Sequence, residues 1–119
     1  MTREEKQLLL KDLCSRLPYN VICKLSVKGA DVSITEKLDL GGLEHFMFGT
    51  MDVKPYLRPM SSMTDEEENK YNSLNAYEKG IFPHTEEAFD WLLANHFDFH
   101  GLIPMGLALE APEGMYKTE

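Results

Sequence analysis

Leu9, Leu13 and Leu17 recur at helical spacing until Pro18 stops the run, and Thr2 with Glu5 forms a capping box at its start. The spacing predicts a helix over about 3–16. The period then changes. Val21, Cys23, Leu25 and Val27 alternate with Ile22, Lys24 and Ser26, and Val32 and Ile34 alternate with Ser33 and Thr35. Lys28-Gly29-Ala30-Asp31 between them reads as a turn in which glycine supplies a positive φ, so the pattern predicts a β-hairpin over about 20–38.

Gly41-Gly42 breaks the pattern, and residues 43–48 (Leu-Glu-His-Phe-Met-Phe) fit either a buried strand or a single helical turn. Pro55 and Pro59 force an extended path over 52–59, which predicts a loop or an edge strand and excludes a central strand. Thr64 with Glu67 forms a second capping box and predicts a surface helix over about 65–74. Thr85, after Pro83, is placed to cap a third helix that puts Phe89, Leu92, Leu93 and His96 on one face, as a main core helix would. Beyond it, Gly101, Pro104, Gly106, Pro112 and Gly114 allow short pieces, with residues 107–109 a brief strand. This order predicts one α+β domain over 1–119: a small antiparallel sheet with two or three helices on one face.

A chain of 119 residues with 43% hydrophobic content supports one core. Cys14 and Cys23 are too few for a disulfide framework and, with no Cys-x-x-Cys, make no thiolate zinc motif. Both read as reduced core residues. The N-terminus is charged from Arg3 onward, and the longest uncharged stretch, 101–109, contains Pro104 and falls short of the roughly 20 apolar residues that span a bilayer. A soluble cytoplasmic protein without membrane attachment is expected. Charge is lopsided: residues 1–60 carry nine Lys/Arg against eight acids, while 61–119 carry three lysines against twelve acids. An acidic half repels phosphate and argues against direct nucleic-acid binding; it favours solubility, or a basic protein partner.

Three groups of residues carry candidate chemistry. If extended, His96-x-Asp98-x-His100 sets two imidazoles and a carboxylate on one face, a donor set suited to zinc, although a histidine at a helix end also simply complements the dipole. Lys54, Tyr56 and Arg58 lie in the proline-stiffened stretch, where they could form a contact patch for a partner or an anionic ligand; alternatively Tyr56 and Leu57 plug the core while Lys54 and Arg58 pair with the acidic helix that follows. Trp91 lies off the Phe89–Leu93 face, available either to an interface or to the rim of the core. Ser61 and Ser62 lack a nucleophile elbow, and no cofactor-binding motif is present.

The run Asp52-Val53-Lys54-Pro55-Tyr56-Leu57-Arg58-Pro59-Met60-Ser61-Ser62-Met63-Thr64, together with 89–112 from Phe89-Asp90-Trp91-Leu92 to Glu110-Ala111-Pro112, resembles a group of small uncharacterised proteins of gut anaerobes and their phages. The resemblance implies a phage or mobile-element setting and brings no activity with it. Three function classes follow. The first is a non-enzymatic interaction or accessory protein. The second is an acidic mimic of nucleic acid that inhibits a host enzyme through Asp65 to Glu68, Glu86, Glu87, Asp90 and Asp98. The third, ranked last, is a small metal-assisted hydrolase using His96, Asp98 and His100.

Overall fold

The computed structural model describes residues 1–74 and 86–116. It has the predicted α+β architecture. Helices α1 (Arg3–Arg16), α2 (Leu40–Phe48), α3 (Asp65–Leu74) and α4 (Glu86–Ala94) accompany strands β1 (Ile22–Val27), β2 (Ser33–Lys37), β3 (Met51–Leu57) and β4 (Leu109–Glu110). Both capping boxes form: Thr2 Oγ1 accepts from Glu5 N–H at 3.0 Å, and Thr64 Oγ1 accepts from Glu67 N–H at 3.1 Å. The hairpin forms too, with Gly29 at φ 79° in its turn. The sheet runs β2-β1-β3-β4; its pairs are antiparallel except β3–β4, which is parallel. One face carries the core, in which Leu9 and Leu13 of α1, Leu43 and Phe46 of α2, and Leu102 and Leu107 pack against Cys23, Leu25, Val53 and Leu57. Among the described residues no helix is long and apolar enough to cross a membrane.

Residues 43–48 are helical, and the diglycine opens α2 rather than breaking the chain. Asp39 caps the helix, its Oδ1 accepting from Gly42 N–H at 2.8 Å, and Gly49 ends it in the left-handed region at φ 78°. A Cβ on Gly42 would stand 3.1 Å from Leu25 Cδ2 and 3.3 Å from Leu38 Cδ1, so the missing side chain lets α2 approach the sheet.

The proline-bearing segment is an inner strand, contrary to the expectation of a loop or edge. Antiparallel ladders alternate, and the bond from Val27 N–H to Val32 O fixes the phase: odd residues of β1 bond β2, whereas Ile22, Lys24 and Ser26 face Tyr56, Lys54 and Asp52 of β3. The nitrogen of Pro55 therefore points away from β1, toward a side where β4 pairs only with Tyr56 and Leu57. The proline removes no ladder bond.

Two further expectations are corrected. Cys14 is exposed, because the buried stripe of α1 is Leu9, Asp12, Leu13 and Arg16. Helix α4 is not the main core helix: it buries Ala88, Leu92 and Leu93 outside the central cluster, Phe89 is over one-third exposed, and His96 lies beyond the helix end. The cap assigned to Thr85 lies outside the described residues.

A hydroxyl completes the ladder where β1 begins. Tyr116 Oη accepts from Ile22 N–H at 2.8 Å and donates to Tyr56 O at 2.7 Å, bridging the 22/56 rung. One residue pair further on, residues 96–98 take the place of β1 beside β3: Arg58 N–H donates to His96 O at 2.7 Å and Asp98 N–H to Arg58 O at 2.8 Å. Tyr116→Phe leaves a backbone donor and an acceptor without their bridge in a partly buried place, and is expected to cost about 2 kcal/mol by urea denaturation. A loss below about 0.5 kcal/mol would show that the rung closes without the phenol.

Candidate functional site

The segment His96–His100 sends its three polar side chains to three different partners. His96 adopts a left-handed backbone at φ 63°, and its ring lies flat on the Tyr116 ring, with centroids 3.7 Å apart. Asp98 turns onto its own chain and accepts from Leu102 N–H at 2.8 Å and Ile103 N–H at 2.9 Å. His100 Nδ1 lies 2.8 Å from Asp12 Oδ1. An ionised Asp12 can only accept, so the imidazole donates. Among the described residues no group of three His, Cys, Asp or Glu side chains is placed to hold a metal ion.

The charge states of this region follow from its surroundings. Burial alone would raise the pKa of Asp12, but hydrogen bonds from His100 and Arg16, with their charges, hold it below the usual carboxylate range. Arg16 is fully buried: its Nε donates to Asp12 Oδ2 at 2.6 Å and its Nη2 to Phe97 O at 2.7 Å. Burial first, then the charges of Arg16 and Arg58, push His96 down to about 4, so its imidazole is neutral at pH 7. The thiol of Cys23 is pushed up to about 12, mainly by burial, which removes it as a thiolate nucleophile.

Arg58 takes the structural alternative. Its Nη1 and Nη2 donate to the two oxygens of Glu67 at 2.8 and 2.7 Å, and its guanidinium lies 4.2 Å from the centre of the Phe97 ring. Trp91 stacks with the Phe97 ring at 5.6 Å and with Tyr71 at 6.1 Å, so Trp91 ties α4 to α3 and to Phe97. Tyr56 is half-buried and its carbonyl is held by Tyr116. Of the acids considered as a phosphate-like array, Glu67 is joined to Arg58 and Asp98 is buried.

Lys54 is the proposed contact residue that remains outward. It sits directly opposite Lys24 across the β3–β1 pair, and both are exposed. Like charges facing each other across a sheet repel. Neither makes an ion pair among the described residues, and the neighbouring Asp52 leans to Lys28 at 3.8 Å. The two lysines line a cleft of about 580 Å³ whose other walls include Glu5, Phe46, Met105 and Leu109. The cleft therefore offers the two lysines, the carboxylates of Glu5 and Asp52, and apolar groups together.

Sequence reasoning missed Asp12, Arg16, Tyr116 and Lys24. The first two were signalled by their position: a helical stripe of 9, 12, 13 and 16 includes a charged pair at i, i+4 spacing. Tyr116 follows Pro112 and Gly114, with no periodicity around it.

The depressed pKa of His96 makes stability pH-dependent. The unfolded chain takes up this proton near 6.5 and the folded chain only near 4, so stability is intact above pH 6.5 and falls as pH drops toward 4. The full effect is about 3 kcal/mol. His96→Asn, which tolerates the left-handed backbone, is expected to flatten that part of the curve in urea titrations at pH 7, 5.5 and 4. Parallel curves for the two proteins would contradict this. Comparison with protein-family models, curated proteins and solved structures finds no match for the chain.

Proposed function

We propose that this chain is a non-enzymatic interaction domain that holds an acidic segment of a partner protein in the cleft beside Lys24 and Lys54. The observation that carries it is the lysine pair. Two exposed cations set directly opposite each other work against the fold, and an anionic group between them would turn that repulsion into attraction. The apolar residues on the other walls suit a segment that mixes acidic and aliphatic side chains. The groups first considered for chemistry support the same reading, because His96, Asp98, His100 and Arg58 each hold part of the structure. The segmental resemblance of 52–64 and 89–112 adds a phage or mobile-element setting, and the two cysteines, read as reduced, suit a cytoplasmic one.

The test is calorimetric titration with a short peptide of alternating glutamate and leucine. Binding is expected to weaken as salt rises, and Lys24→Gln with Lys54→Gln is expected to weaken it about tenfold without changing the thermal midpoint downward. Equal affinity of the double variant and the parent, or no binding at low salt, would refute the proposal.

A further inference from the structure

Strand β2 lies at one end of the sheet order, and all five of its residues are exposed. Its ladder phase is fixed at both ends: Val27 N–H donates to Val32 O at 3.2 Å and Leu38 N–H to Val21 O at 2.8 Å. Residues 32, 34, 36 and 38 therefore turn their backbone groups toward β1. The N–H and C=O groups of Ser33, Thr35 and Lys37 point outward along the edge. An edge of this kind is a template for another strand.

Side chains add a second feature. Ile34 pairs with the buried Leu25 and so lies on the core face, yet it is 48% exposed, with Val32 at 58%. Helix α2 stands over Leu25 and Leu38 on this face, and its outer stripe of Leu40, Met47 and Phe48 is exposed as well. Apolar surface thus borders the edge on one side of the sheet.

We infer that β2 pairs antiparallel with β2 of a second copy of this chain, about a two-fold axis at Ile34. The sequence is self-complementary in this register. Ile34 meets Ile34 as a non-hydrogen-bonded pair, the class with the closest side-chain approach. Ser33 and Thr35 exchange backbone bonds across the axis, and Asp31 falls opposite Lys37 twice. This register also sets Val32 against Glu36 twice. Other axes fit worse. An axis at Thr35 likewise sets Ile34 against Glu36 but offers no opposite-charge pair, one at Glu36 sets that acid against itself, and one at Ser33 runs Lys37 into the turn at Gly29. An axis between residues would place outward groups against inward ones and form no ladder. The interface is isologous, as two-fold contacts are, and it extends the four-stranded sheet into one continuous sheet across both copies. It leaves the cleft at Lys24 and Lys54 outside the contact strand, so this pairing stands or falls independently of acidic-segment binding.

Sedimentation velocity on the full chain, from about 10 μM to about 1 mM, tests it with three variants. The parent is expected to show a concentration-dependent monomer–dimer equilibrium. Thr35→Pro deletes an outward N–H that has no partner within one copy, and is expected to remain folded by circular dichroism and to sediment as a monomer throughout. Asp31→Lys alone is expected to weaken the dimer about tenfold, and Asp31→Lys with Lys37→Asp to restore it. A parent that stays monomeric at the highest concentration overturns the inference. So does a dimer insensitive to Thr35→Pro, and so does a charge swap that fails to recover the loss while both variants keep the parent's spectrum.

Discussion

The path of residues 97–100 depends on a charge pair buried inside α1. Asp12 and Arg16 are both inaccessible to solvent, one helical turn apart. Burying two such ions costs several kcal/mol each, and the cost is offset only when the geometry is good and further hydrogen bonds use the remaining lone pairs and protons. The second half of the chain supplies several of those bonds, leaving Arg16 Nη1 without a partner among the described residues. His100 reaches Asp12, Phe97 O receives Arg16, and the Phe99 ring lies 5.3 Å from the guanidinium. A pair that would otherwise weaken α1 becomes the anchor for residues 97–100.

The anchored segment then organises what surrounds it. Once Phe97 is fixed, its backbone neighbours pair with Arg58 at the end of β3, and its ring contacts both Trp91 and the Arg58 guanidinium. Arg58 in turn holds Glu67, which belongs to the capping box of α3. Asp98 caps the turn that drives Leu102 into the core, and His96 supports Tyr116, whose hydroxyl bridges β1 and β3. Few residues after Ala94 lie in regular secondary structure, so polar side chains set this path where helix and strand propensities do not. The residues with the richest apparent chemistry are consequently structural. Among the described residues, the lysine cleft and the outer strand are the surfaces proposed for contact.

Local rules made much of the fold legible in advance. The capping boxes located α1 and α3, and alternation located the hairpin, because those signals act within a few residues. The expectations that failed depended on distant partners. Pro55 is tolerated in an inner strand only because β4 is too short to need its N–H, and the diglycine starts a helix because Leu25 and Leu38 stand beneath it. The period-2 reading of His96, Asp98 and His100 assumed an extended chain, whereas His96 turns left-handed and Asp98 folds back on its own turn. Trp91 and Arg58 were notable in the sequence, but the contact each makes with Phe97, more than thirty residues away from Arg58, is not legible from local spacing. The lysine pair could not be read without the β1–β3 register.

The anchoring role of the buried pair is tested most directly by a double-mutant cycle in urea, with Arg16→Met, Asp12→Leu and both together. Each single change strands a buried charge and is expected to cost about 3–5 kcal/mol; the double change removes both charges and is expected to cost far less than the sum. Single costs below about 1 kcal/mol, or strictly additive ones, would show that residues 97–100 are held in place without the pair.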